Sequence, residues 1–312
     1  MSSFECFISK DNVKWFKEVI KTIEGCISEV KIDVSEHGLK LYNLNRSHIM
    51  FVQLDLNPEF FTEFILDNSK PVSFTASIGE LYNVLNKHAI QEQFDPNNGE
   101  LFFIQPRKDE FYWINLNNGK VYQYYVEKLN KNGFWVDTKD LNTVIKRLRI
   151  GDTFSLSEDE GSLIINIDGK SRKEFKINKL DTEDDVPSEP TLKDLSKIIV
   201  SFESYKEAIM DIDMLNLNNK LYFRLKDDEL VISSHGKTGE VTISLNTLTG
   251  SSNNIKSCYS IRHIVQAIRW LKECKTELKI EMRQDTPIRF IYPDKNSNAF
   301  FKSLIAPRIE AE

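Results

Sequence analysis

Cysteine is scarce in this chain. Four residues among 312 (Cys6, Cys26, Cys258, Cys274) sit far apart with no C-x-x-C pair, which leaves no disulfide framework or thiolate metal site to read. Each falls in a segment of apolar periodicity and is expected as a buried free thiol in a reducing compartment. The five histidines, at positions 37, 48, 88, 235 and 263, are never paired at metal-ligand spacing, so no metal or cofactor is expected. No apolar run approaches membrane length and MSSFECFISKDN has no signal-peptide core, so a soluble intracellular protein is expected. Positive charge is not in excess. The net of −6 argues against gripping nucleic acid with the whole surface, though it leaves local basic faces open.

Catalytic signatures are missing as well. There is no nucleophile elbow, and Asp211 and Asp213, at i and i+2 on a helix, point apart. Gly236-Lys237-Thr238 resembles a phosphate loop only superficially, because Val231 stands where its first glycine belongs and no helix follows. An enzyme is not expected.

What the chain does have is a core and a repeat. At 40% hydrophobic and 28% charged it can fold into two domains. The stretch KLDTEDDVPSEPTL, Lys179 to Leu192, carries five acids, four of them in the run from Asp181 to Asp185, two prolines and almost nothing apolar. It reads as a solvated linker. On either side, an amphipathic helix followed by short alternating strands recurs.

Three of the helices present a basic face. Asp11 or Asn12 can cap a helix running to about Cys26, with Val13, Phe16, Ile20 and Ile23 inward and Lys10, Lys14, Lys17 and Lys21 together on another side. Thr138–Arg149 buries Leu141, Val144, Ile145 and Leu148 opposite Lys139, Lys146 and Arg149. A helix after Ser257 turns Ile261, Ile264, Val265, Ile268 and Leu271 inward, and Arg262, Gln266, Arg269 and Lys272 outward. The helix Glu203–Leu215 differs, being mostly acidic around Lys206. Between Asn57 and Gly133 the reading gives a strand, a helix near Ile78–His88 and, from Glu100 to Leu129, a β-meander turning at Asn117-Asn118-Gly119. Its aromatics, Phe102, Phe111, Trp113 and Tyr122, are expected as core or cross-strand pairs.

Two stretches are similar to a known family. Ser35, Gly38, Ser47, His48, Val52, Gln53 and Leu54 form an S-x-x-G turn and an S-H-I-M-F-V-Q-L run, and the chain closes on L-I-A-P-R-I-E. Both resemble the archaeal and eukaryotic sliding clamp, proliferating cell nuclear antigen (PCNA). The resemblance covers nearly all of the chain except an inserted region. It implies an α+β fold of two clamp domains, antiparallel sheets outside and helices lining a central hole. The domains would be 1–180, with an insertion within about 58–133, then a connecting linker at 181–195, then 196–312.

The resemblance also implies a function: a ring around duplex DNA that acts as a polymerase processivity factor and tethers replication and repair enzymes. Lys10, Lys14, Lys17, Lys21, Lys139, Lys146, Arg149, Arg262, Arg269 and Lys272 would face DNA regardless of its sequence. The strands Arg172–Leu180 and Thr238–Leu245, with Lys176, Ile177, Val241 and Ile243, would join subunits head to tail into a homotrimer. A pocket for partner peptides would use Leu44, His48, Ile49, Phe51, Val186, Pro187, Pro287, Ala306, Pro307 and Ile309. DNA polymerase, other proteins with a clamp-binding motif, and a clamp loader would be its partners, at the replication site in nucleus or cytoplasm. Two alternatives stay open, a subunit of a heterotrimeric checkpoint- or transcription-linked clamp and a monomeric DNA-binding accessory protein.

Overall fold

The computed structural model describes residues 4–8, 10–66, 134–149, 152–159, 161–181, 189–190, 192–226, 229–248, 254–272 and 277–308, together with the backbone of five further strands between 72 and 125. Contacts divide the chain into two compact units, residues 67–133 and all the rest.

The larger unit repeats one βαβββ pattern four times. The first copy is β1 (Phe4–Ile8), α1 (Val13–Cys26), β2 (Glu29–Ser35), β3 (Gly38–Leu44) and β4 (Met50–Leu56). A 3-10 turn at Pro58–Phe60 then leads into β5 (Phe61–Leu66), which pairs with β1. Residues 58–66, expected at the start of an insertion, are thus part of the main sheet system, and the separate unit begins at Asp67. That unit is a five-stranded antiparallel sheet of β6 (Val72–Phe74), β7 (Gln91–Asp95), β8 (Glu100–Ile104), β9 (Glu110–Asn115) and β10 (Lys120–Tyr125), in the order β6-β10-β9-β8-β7. The meander expected from Glu100 is there; the expected helix at Ile78–His88 and the four aromatic side chains lie outside the described residues.

The second copy is β11 (Phe134–Asp137), α2 (Thr138–Ile145), β12 (Thr153–Asp159), β13 (Ser162–Asp168) and β14 (Arg172–Asn178). The third is β15 (Ser196–Ser201), α3 (Phe202–Leu215), β16 (Lys220–Lys226), β17 (Glu229–Gly236) and β18 (Gly239–Asn246). The fourth is β19 (Ile255–Ser260), α4 (Ile261–Ile268), β20 (Glu277–Met282), β21 (Ile288–Pro293) and β22 (Ala299–Ile305).

Three antiparallel sheets result, in the orders β14-β13-β12-β1-β5, β18-β17-β16-β19, and β11-β2-β3-β4-β22-β21-β20-β15. The eight-stranded sheet joins the two halves through β4 and β22. Alternation explains why these segments are strands: Val30, Ile32 and Val34 of β2, or Leu163, Ile165 and Ile167 of β13, all turn into the core. The expected inward residues of α1 are buried, as are Ile261, Ile264, Val265, Ile268 and Leu271, while Val144 is only half-buried. Helices pack side by side as α2–α1–α4–α3 over the inner faces of the sheets.

Two details of the helices differ from expectation. Asn12 stands at the N-cap of α1, yet its side chain donates to the Phe60 carbonyl at 2.8 Å and caps nothing. The regular helix α2 stops at Ile145, four residues short of Arg149.

The repeat extends to loops. Asn45 Oδ1 accepts from the amides of Ile49 and Met50, both at 3.0 Å. Asp294 Oδ1 accepts from Asn298 and Ala299 at 2.6 and 2.9 Å. Each loop sets the residue three past its Asn or Asp in the left-handed region, His48 at φ 56° and Ser297 at φ 61°. Local carboxamide and carboxylate hydrogen bonds of this kind hold a turn that its residues alone would not choose. Gly38 is needed for a different reason: at φ 109° any Cβ would sit 1.9 Å from the Leu56 carbonyl oxygen.

Candidate functional site: a basic helix layer, two open strand edges and an outer sheet face

Each predicted group of residues falls in a distinct place. Lys10, Lys14, Lys17 and Lys21 of α1 and its lead-in, with Lys146 just past α2, line one groove of about 650 Å³, alongside Asp11, Glu18 and Asn142. Lys139 and Arg149 are exposed at the two ends of the α2 segment, and Arg262, Arg269 and Lys272 are exposed on or just past α4. Eight of the ten cations are thus exposed on or beside adjacent helices, and Lys21 is half-buried among them.

Lys17 is the exception. Its Nζ donates to the carbonyls of Lys146 (3.4 Å) and Leu148, closing the C-terminal end of α2. Burial pushes its pKa down, with Asp152 partly opposing. It holds two helices together and does not stand free in the layer. Lys206 does the same in the other half, donating to the carbonyls of Arg269 (3.4 Å) and Leu271 (2.6 Å) past α4. Both lysines are the fifth residue of their helix. The carbonyls left over at a helix end attract a cation. Spacing alone had grouped Lys17 with the outward lysines, because α2 is remote in sequence. The α1–α4 junction carries a further contact that spacing did not reveal: Lys21 Nζ lies 3.3 Å from the Trp270 ring centroid.

The predicted interface strands β14 and β18 are outermost in their sheets. Lys176 is exposed, and Val241 and Ile243 are half-buried against the core. Ile177 is a core residue at 5% exposure. Its side chain cannot serve as a contact; only its backbone is at the edge. The other edges are closed differently. Leu180 N donates to Trp135 O on β11 at 2.9 Å, Leu248 N to Ile199 O on β15 at 2.7 Å, and Arg308 N to Cys258 O on β19 at 2.8 Å. Among the described residues of the larger unit's three sheets, β14, β18 and β5 keep an outer edge with no backbone partner.

Of the pocket residues, Leu44, Ile49, Phe51, Pro287, Ala306 and Pro307 converge at one end of β3, β4, β21 and β22. Ala306 N donates to Ile49 O at 2.8 Å, and the register sets Leu44 opposite Phe51 and Phe51 opposite Leu304. Phe51 and Leu304 are each 3% exposed yet stand apart from the main core cluster; alternation puts them on the outer sheet face. Ile49 is 37% exposed and His48 fully outward. Val186, Pro187 and Ile309 lie outside the described residues. Asn45, which builds the loop, went unnoticed in the sequence; its signal is an Asn followed within a few residues by a new strand.

Two halves of paired βαβββ units sharing one continuous sheet, with helices on one side, make a two-domain clamp fold. The comparisons agree. The family model for the proliferating cell nuclear antigen N-terminal domain matches residues 7–108. The DNA polymerase sliding clamp of Methanothermobacter thermautotrophicus is 27% identical over 290 residues, 93% of this chain and 92% of that protein. Among solved structures, PCNA from Thermococcus kodakaraensis superposes with a TM-score of 0.70 at 18% identity, covering 98% of this chain and 100% of that one. PCNA of A. fulgidus, solved with the C-terminal region of FEN-1 bound, gives 0.70 at 16% identity, covering 99% and 100%. Residues 7–108 thus match the PCNA N-terminal-domain family, and nearly the whole chain is similar to DNA polymerase sliding clamps.

Proposed function

We propose that this chain is a DNA sliding clamp: copies join head to tail into a closed homotrimeric ring, the basic helix layer faces duplex DNA, and the outer sheet face docks polymerase and other enzymes. It is a scaffold and performs no chemistry. A clamp loader opens the ring onto DNA wherever the cell replicates it.

The observation that carries this reading is the pairing between β4 and β22. The two halves of the chain repeat strand for strand, so β18 corresponds to β4, and β14 to β22. The pair Leu39–Leu56 corresponds to Leu230–Leu245. The edge bonds Leu180–Trp135 and Arg308–Cys258 fall at equivalent places as well. Within the chain β4 and β22 are joined; their counterparts β18 and β14 are open. Transferring the register Val52–Ser303 and Phe51–Leu304 sets Val241 of one copy opposite Phe175 of the next, and Glu240 opposite Lys176. An apolar pair and an opposite-charge pair both come from one sequence. This complementarity favours identical copies over a heterotrimer, and a repeated head-to-tail contact closes when the rotation per copy divides a circle.

Light scattering tests it. The expected result is a mass three times 36.3 kDa; a strict monomer at tens of micromolar, a generous working range by mass action, would sink the ring. Charge reversal at Lys146 and Arg269 should leave that mass intact and shorten residence on closed circular DNA, an effect that weakens as salt rises.

A further inference from the structure

One cation on the outer sheet face has no role in the reading above. Arg289 of β21 is only 16% exposed. Its Nη1 donates to Glu281 Oε2 at 2.7 Å and its Nη2 pairs with Glu189 Oε1 at 2.9 Å. The buried Nε has no partner among the described residues. The two carboxylates are not equivalent. Glu281 is 4% exposed on β20 and also receives Lys279 at 2.8 Å, so it is a permanent neighbour. Glu189 belongs to the connector between the halves and its side chain is 27% exposed, so it can leave.

The position of Arg289 is informative. Across the sheet the register runs Leu44, Phe51, Leu304, Arg289, Glu281 in one row. A segment laid on Phe51 and Leu304 would bring its flanking residue over the guanidinium, which presents donors in a fork suited to carboxylate.

We propose that Arg289 is a specificity residue of the partner-docking face, bound to the connector's Glu189 in the free protein and to an acidic residue of the docked segment in the complex. The exchange of one carboxylate for another keeps the buried guanidinium neutralised throughout. This inference rests on the docking reading above.

The test uses the full-length ring and synthetic peptides with apolar anchors at i, i+3 and i+4. One Glu is moved through the flanking positions, and each peptide has its Gln counterpart. For at least one position, wild type should prefer Glu over Gln. Glu189→Gln should then widen that preference about tenfold, the worth of a charge-assisted hydrogen bond no longer contested. Arg289→Lys, which keeps the charge and loses the fork, should collapse the preference while the Gln peptide binds as before. If the Glu-to-Gln ratio is the same in wild type, Glu189→Gln and Arg289→Lys, the exchange site is wrong although the docking face stands. If no peptide binds the wild-type ring, the docking reading falls and this site with it.

Discussion

Lys17 and Lys206 show how far a residue's meaning depends on what its tip touches. Each is the fifth residue of its helix and each reaches carbonyls past the end of a neighbouring helix. Lys17→Met and Lys206→Met should each cost about 0.5–1.5 kcal/mol, because part-buried carbonyls lose their donor. Denaturant midpoints check this. Reversing Lys146 instead should barely move the midpoint, since exposed charges contribute little. Glu281 supplies a pH dependence. Burial would raise its pKa, but hydrogen bonds and charges from Lys279 and Arg289 outweigh that and hold it below the usual value. A depressed carboxyl pKa stabilises the fold at neutral pH. That contribution is complete above the unfolded-state value of about 4.3 and disappears as pH falls through the lower folded value. Glu281→Gln should therefore flatten the acid limb of a stability–pH curve. The apolar positions of α1, α2 and α4 were legible from 3.6-residue spacing, with Val144 only half-buried. The lysine caps were not, because their partners are far away in sequence, and neither were the Asn45 loop and the Arg289 pair, whose side-chain hydrogen bonds no apolar period encodes.

At the scale of elements, the resemblance together with alternation singled out β14 and β18, and the structure adds their edge position and register. A paired substitution, Phe175→Cys with Val241→Cys, should cross-link copies under oxidation, and Phe175→Cys with Ile243→Cys should do so far less. Directly opposed residues lie within disulfide reach in such a ladder, and neighbours two along are farther. Gel mobility under non-reducing conditions reads the result. Val241→Pro should reduce trimer mass by removing a ladder hydrogen bond. Among the described thiols Cys6 and Cys258 are buried, and burial pushes Cys26 up to about 12; the experiment is run in a Cys274→Ser background.

For the whole molecule, the four-fold βαβββ plan was only half visible in the sequence. Helix-then-strands recurred on both sides of an acidic linker, but the sharing of first strands between neighbouring copies is a property of sheet order. Residues 67–133 interrupt the plan as a separate compact unit. Replacing them with a short Gly/Ser segment should leave the remaining unit folded. Circular dichroism and light scattering would show it, with unfolding of the shortened chain the contrary outcome.

The connector between the halves has a mechanical consequence. Leu180 is bonded at one edge of the eight-stranded sheet and Ser196 opens the strand at the other. Leu180 lies one spacing outside β11, so eight interstrand spacings, about 38 Å, separate it from β15, while residues 181–195 can reach about 50 Å. The connection thus has slack. Tension pulling the halves apart would load the β4–β22 ladder first, together with Lys21 on Trp270 and the Glu18 contact to the Lys272 amide. Only after that seam parted would the covalent strap go taut. In the proposed ring the β14–β18 seams between copies would have the same ladder and no tether, so a stretched ring should part there, at a joint that can close again.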